Sequence, residues 1–516
     1  MSEEKFKEQI EDAYSFSGKS ILLGGSVYDK KAIAGYNIKL PLSTVNRHGL
    51  IAGATGTGKT KSIQRIAESL SEQGVNVLLM DIKGDVSGIS KAGTENPKIK
   101  ERMDLIGAPW MSCGYPVELL TISNEKGVRL RATVSEFGPV LFSKVLELNE
   151  NQEGAIAIIF KYCDDKKMAL LDIKDFRAAL QHLSDGEGKK EIEQNYGAIS
   201  HSSSGVIMRK LLELEQQGGD KFFGEKSFEV EDLLQKDSDG KAYINILRLT
   251  DIQDKPKLFS SFMLCLLAEI YSKFPEIGDK GEPELVIFID EAHLIFKEAS
   301  KALLQQLETI IKLIRSKGVG IYFCTQAPTD IPDIILSQLG TKIQHALRAF
   351  TARDRKDIRL VAENFPITEF YKTDELLTEL GIGEALVTVL SEKGIPTPLV
   401  HTMMCAPQSR MDVLTPDEQA EVVSASRIAR VYNEVIDRES AYEILNRKLT
   451  VSAENNAPDI QHEKSAETSG IGDTIKAIAN SSLTRTVFRE VTRGLLGVLI
   501  GKPGRASTRR RTNSFF

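Results

Sequence analysis

Gly53-Ala54-Thr55-Gly56-Thr57-Gly58-Lys59-Thr60 reads G-x-x-x-x-G-K-T. Ahead of it, residues 48–52 form a short apolar strand. Behind it, residues 61–70 place Ile63, Ile66, Ala67 and Leu70 at helical spacing. Strand, glycine loop and helix is the context in which this octapeptide is a phosphate-binding P-loop rather than a glycine-rich turn. The glycines let the backbone wrap an anion with its N–H groups inward, and the helix N-terminus adds the positive end of its dipole. Residues 53–60 are therefore the expected triphosphate cradle. Lys59 is expected at the β- and γ-phosphates and the Thr60 hydroxyl on Mg²⁺.

A second strand ends in acids: Leu285-Val-Ile-Phe-Ile-Asp290-Glu291-Ala-His293. Aimed at the phosphates, Asp290 serves Mg²⁺ and Glu291 polarises a water as general base. That pair suits hydrolysis better than transfer to a bulky acceptor. Residues 321–326 form a strand ending in Thr325-Gln326, where Gln326 is either a γ-phosphate sensor or an ordinary polar turn residue. Arg315, before Gly318, is either an arginine finger for a neighbouring subunit or a cation at a helix C-terminus. Asp81, ending the strand 76–81, either orients the water and Mg²⁺ shell or is a solvated turn carboxylate. Arg348, Arg353, Arg355 and Arg359, near Asp354 and Asp357, read more readily as salt-bridged helix surface than as pore residues. His293 is open between a turn residue and a coupling residue. No N-K-x-D guanine-reading signature is evident, which disfavours a GTPase.

The 516 residues are 41% hydrophobic and 27% charged, ordinary for a globular protein, and predict two to four domains. Net charge is −6, so any nucleic-acid surface must be local. The five cysteines are scattered without C-x-x-C spacing, which argues against a disulfide framework or zinc site. No apolar run reaches membrane-spanning length and the start carries no signal core, so a cytoplasmic location is expected.

Alternation of strands and helices predicts an α/β fold with a mostly parallel sheet. Residues 1–47 are read as a helix and strand leading into a core at 48–410. A helical insertion interrupts the core at about 138–220. Charged helices are expected at 411–449, a linker at 450–483 and a basic, partly disordered tail at 484–516. The tail mixes arginines with Leu495, Leu496, Val498, Leu499 and Ile500. It reads as a solubilising end, a phosphate-binding segment or a peripheral membrane contact.

Together, residues 53–60, Asp81-Ile-Lys-Gly84, Phe288-Ile-Asp-Glu-Ala-His293 and Thr325-Gln326 resemble the HerA/FtsK superfamily over roughly residues 20–405, apart from the insertion. The resemblance implies a RecA-like P-loop NTPase that uses ATP and Mg²⁺, assembles as a homo-hexamer and moves DNA. Carried over, Lys59 and Thr60 bind triphosphate and Mg²⁺, Asp290 serves Mg²⁺, Glu291 is the base and Gln326 the sensor. Arg315 matches the finger of the secretion-coupling relatives. Archaeal HerA carries a β-barrel ahead of its P-loop, and too few residues precede Gly53 for one here. The resemblance is thus to the bacterial HerA-like helicase or translocase branch. The alternative function is an ATP-dependent assembly or remodelling switch, membrane-associated or not, whose insertion binds a protein partner.

Overall fold

The computed structural model describes residues 2–278, 282–297, 301–434, 436 and 438–447. The described residues lie in the first of two compact units, Met1–Asn455, and the second is Asn456–Phe516. The expected linker at 450–483 and the expected basic tail at 484–516 lie outside the described residues.

Twelve described strands make one sheet. They are β1 (Ser20–Tyr28), β2 (Lys31–Pro41), β3 (Gly49–Ala52), β4 (Asn76–Asp81), β5 (Val117–Thr121), β6 (Val128–Arg129), β7 (Ile244–Arg248), β8 (Leu285–Ile289), β9 (Val319–Thr325), β10 (Thr341–His345), β11 (Glu384–Thr388) and β12 (Val400–Met404). Their order is β2-β1-β12-β11-β10-β3-β9-β8-β4-β7-β5-β6. Every neighbouring pair from β10 to β6 is parallel, and every pair from β2 to β10 is antiparallel. The mostly parallel sheet is what the strand–helix alternation predicts. β3, β4, β8 and β9 are buried along their whole length, as strands covered on both faces must be.

Sequence reading located β3, β4, β8 and β9 by their apolar runs but gave no strand at β10. Only Ile343 there is aliphatic, while Thr341, Gln344 and His345 are buried polar residues. The N-terminal segment also does more than lead into the core. The hairpin β1–β2 extends the sheet through β12. The helix Glu3–Tyr14 buries Phe6, Ile10 and Tyr14, one face at i, i+4 spacing, and the Tyr14 hydroxyl donates to Pro398 O at 2.7 Å.

Between β6 and β7 run the helices Val134–Val145, Glu150–Asp165, Ile173–Ser184, Lys189–Asn195 and His201–Gln216. Reciprocal caps start the first three: Thr133 with Glu136, Asn149 with Gln152 and Asp172 with Asp175. Phe137, Phe142, Phe160, Phe176, Phe222 and Phe223 pack ring on ring at their centre.

After β12 the chain crosses the outer face of the helix Lys59–Glu72. Glu68, wholly buried, accepts the N–H groups of Gln408 (2.9 Å) and Ser409 (3.0 Å) and pairs with Arg65 at 3.1 Å. Leu414 enters the core, and the helix Pro416–Ala425 follows. The same strap then reaches the helical region. Arg131 donates to Tyr432 O (2.9 Å), and Tyr442 N–H donates to the buried carboxylate of Asp175 (2.9 Å).

Candidate nucleotide-binding site

The P-loop joins β3 to the helix Lys59–Glu72. Gly53, Gly56 and Gly58 hold φ of 150°, 78° and 110°, a region that side chains resist. A Cβ on Gly53 would lie 2.5 Å from His345 Cβ, and one on Gly58 would lie 3.0 Å from Gly383 Cα. The loop is thus pressed between β9 and β10. Gly53 N–H donates to Thr325 O (3.2 Å), Ala54 N–H to Ala346 O (2.8 Å) and Gly383 N–H to Thr57 O (2.9 Å). His345 is wholly buried, bridging Ser62 Oγ (3.0 Å) and Glu384 O (2.9 Å), and burial pushes its imidazole down to about 4. His345 and Gly383 support the loop, yet they lie outside any short motif and sequence reading passed over them.

Lys59 is buried, and its ammonium donates to Gly53 O (2.5 Å) and Ala54 O (3.2 Å), inside its own loop. Burial, and then the charge of Lys83, lowers its pKa, while Glu291 and Asp290 oppose the shift.

The strand order sets the chemistry. β9 lies between β3 and β8, with Ala52 opposite Thr325 and Ile289 opposite Phe323. The end of β9 therefore separates the P-loop from the acidic pair, and Gln326 is exposed there. Asp290 is mostly buried, and its carboxyl is raised by burial, with Lys83 opposing. Glu291 is 7% exposed and adopts φ of 46°, a left-handed conformation rare outside glycine. His293 Nδ1 stands 3.2 Å from Glu291 Oε2, and Lys83 forms an ion pair with Oε1.

Asp81 turns inward on its own loop. Its carboxylate accepts the N–H groups of Gly84 (2.7 Å), Asp85 (3.3 Å) and Val86 (3.4 Å). Burial, then repulsion from Asp85, raises it to about 7. The carboxylate facing the P-loop is Asp85, whose Oδ2 accepts the Thr60 hydroxyl at 3.3 Å. Asp85 and Lys83 are the site residues that sequence reading did not single out.

Arg315 lies at the opposite end of β9, just after the helix Lys301–Ile314, and its carbonyl accepts Asn46 Nδ2 at 3.2 Å. The seven residues of β9 separate it from the P-loop edge by roughly 20 Å. Arg353 meets Asp357 at 3.9 Å, while Asp354 caps its own helix through Phe350 and Thr351 N–H; Arg348, Arg355 and Arg359 are exposed.

The fit of these residues to Mg²⁺ can be judged directly. Thr60, Asp85 and Asp290 line one small cavity with Asp81, and Asp85 Oδ1 is buried without a hydrogen-bond partner. The described residues hold no cluster of three or more His, Cys, Asp or Glu arranged as a metal cage. Mg²⁺ in phosphate sites does not require one, since one or two carboxylates and the phosphates themselves suffice. The donor set fits.

The family profile described as "Helicase HerA-like C-terminal" matches residues 29–505. The chain belongs to that family. Among curated relatives of this HerA-like chain, the DNA double-strand break repair helicase HerA of Saccharolobus solfataricus is 23% identical over 406 residues, covering 74% of this chain and 68% of the relative. The DNA import protein CedB of Sulfolobus acidocaldarius is 23% identical over 401 residues, covering 77% of this chain and 58% of the relative. The HerA-like chain therefore spans between 58% and 68% of the length of these two relatives. A bacterial conjugative coupling protein, TrwBdeltaN70 in its unbound monoclinic form, superposes with a TM-score of 0.51 at 14% identity, covering 80% of this chain and 95% of that one. That likeness speaks to the fold. No helix among the described residues is long and apolar enough to cross a membrane.

Proposed function

We propose that this HerA-like protein hydrolyses ATP in the cytoplasm as a subunit of a homo-hexameric ring that translocates DNA. The observation that carries hydrolysis is the interposed strand β9. It brings the exposed Gln326 between the P-loop and the pair Asp290–Glu291. A triphosphate seated on residues 53–60 exchanges Lys59's loop carbonyls for phosphate oxygens. Thr60 and Asp290 would hold Mg²⁺, with Asp85 behind Thr60 accepting its hydroxyl, and the ion would offset charge on the phosphates. Glu291 takes a proton from the attacking water, and Gln326 orients that water against the γ-phosphate. Arg315 is too far from its own P-loop to serve it, so it acts on a neighbouring subunit's nucleotide. The DNA assignment rests on the relatives HerA and CedB. Sequence-independent backbone contacts need only local cations, and Arg348, Arg355 and Arg359 are exposed.

One observation favours a second reading, an ATP-dependent switch for a protein partner. The strap is hydrogen-bonded to the P-loop helix at Glu68 and to the helical insertion at Asp175, so a partner on the insertion has a packed route to the nucleotide site. Steady-state ATPase rate against DNA concentration at low salt, beside a native mass measurement, separates the two. The motor reading expects several-fold stimulation and a six-subunit mass. Equal rates with and without DNA would favour the switch. In mixed rings, Arg315→Ala should depress activity beyond its mole fraction, and a linear response would exclude action between subunits.

A further inference from the structure

Lys83 lies on a turn whose shape its neighbours dictate. Asp81 gathers three successive N–H groups, and Gly84 takes φ of 75° where a Cβ would come within 2.9 Å of Thr250. With the turn so fixed, residues 83 and 85 leave it towards the phosphate site. Asp85 goes to Thr60. Lys83 goes to the base, pairing with Glu291 Oε1 and standing 4.0 Å from Asp290 Oδ2.

We infer that Lys83 is a charge latch on Glu291, a positioning residue that withholds the base until Asp290 is engaged by the cation of a metal–triphosphate complex. The inference rests on the hydrolysis reading above. A carboxylate covered by an ammonium is a poor acceptor for a water proton, because the base must itself stand within hydrogen-bond reach of that water. The second oxygen of Glu291 stands 3.2 Å from His293 Nδ1, so the carboxylate is held between Lys83 and His293, and Lys83 is the neighbour that also reaches towards Asp290. The pair is breakable. Lys83 is one-third exposed on a flexible stem, and a partly exposed ion pair contributes little net energy. A divalent charge on Asp290 repels the Lys83 ammonium, and the γ-phosphate oxygens offer it a new partner. Lys83 then swings from the carboxylate to the phosphate, and Glu291 is freed only when there is something to hydrolyse.

The test uses the full chain with Lys83→Met, with Lys83→Gln as a second neutral variant and Lys83→Arg as the conservative one. Binding of a fluorescent ATP analogue is titrated with MgCl₂, and basal and DNA-stimulated turnover are measured in parallel. The latch and Mg²⁺ compete at Asp290, which Lys83 approaches to 4.0 Å. The neutral variants should therefore need roughly fivefold less Mg²⁺ for half-maximal binding, the order expected for one partly exposed ion pair. Basal kcat should rise several-fold, so the ratio of stimulated to basal turnover falls. Lys83→Arg should restore both quantities. An unchanged or higher Mg²⁺ requirement, or a fall in basal kcat at normal KM, would overturn the latch and leave Lys83 a transition-state cation or a structural ion pair. A wild-type protein that binds the analogue but turns nothing over would overturn the hydrolysis reading instead, and the Mg²⁺ titration would still decide whether Lys83 competes.

Discussion

Two adjacent strands, β4 and β8, both end in carboxylates at the phosphate edge of the sheet, and the two ends are used differently. At the end of β8, Asp290 shares a cavity with Thr60 of the P-loop, and Glu291 beside it adopts a left-handed backbone conformation. At the end of β4, Asp81 is consumed by three backbone N–H groups of its own turn, and Asp85, four residues on, supplies the carboxylate that faces Thr60. An acidic strand end thus has two possible jobs, building a turn or presenting a charge. Backbone N–H groups within reach decide which, because a carboxylate holding three of them has few lone pairs left to offer.

Substitutions at three of these four acids test that division. The largest effect is expected at Glu291. Glu291→Gln should lower kcat on the order of 10²- to 10⁴-fold while leaving analogue binding nearly intact, and undiminished turnover would remove it as the base. Asp85→Asn should come next. Losing an outer-shell carboxylate typically weakens metal affinity about tenfold, so the Mg²⁺ concentration for half-maximal turnover should rise by that order. If Asp81→Asn produced that shift and Asp85→Asn did not, the comparison would be reversed.

The smallest effect on chemistry is expected from Asp81→Asn, whose signature is in stability. Burial, and then Asp85, holds the Asp81 carboxyl protonated up to about pH 7 in the folded protein, against an ordinary value of 3.8. Between about pH 4 and about pH 7 the folded form therefore binds a proton that the unfolded chain has released, and stability declines as pH rises through that window. The asparagine variant lacks this decline. Its melting temperature relative to wild type should rise from pH 4 to pH 7, and a flat difference would show that Asp81 titrates normally.

The division also explains what the sequence made legible. Gly53–Thr60 and the Asp290–Glu291 pair stand out because fixed spacing and flanking apolar strands are local features. β10 does not stand out, because its buried residues are Thr341, Gln344 and His345, and a period-two apolar pattern cannot mark a strand whose polar side chains serve the neighbouring loop. Asp81, Lys83 and Asp85 sit within five residues. Their roles separate only when turn hydrogen bonds and the left-handed Gly84 set each side chain's direction. The helices after β6 are legible as a helical insertion at about 138–220 because their periodic pattern is local, whereas the crossing of the strap over Glu68 depends on contacts some 340 positions apart in the chain.

That crossing has a consequence for the order of synthesis. Glu68 is made early and ends wholly buried, but the N–H groups that satisfy it belong to Gln408 and Ser409. Asp175 likewise receives Tyr442. A nascent chain that has produced the P-loop, the acidic pair and the helical region has Arg65 beside Glu68 and the local cap of Asp175, yet both carboxylates still lack the late N–H groups that complete their hydrogen bonding. Their hydrogen bonding is thus completed only after the segment from 408 to 442 has been made, well after the P-loop motif itself emerges.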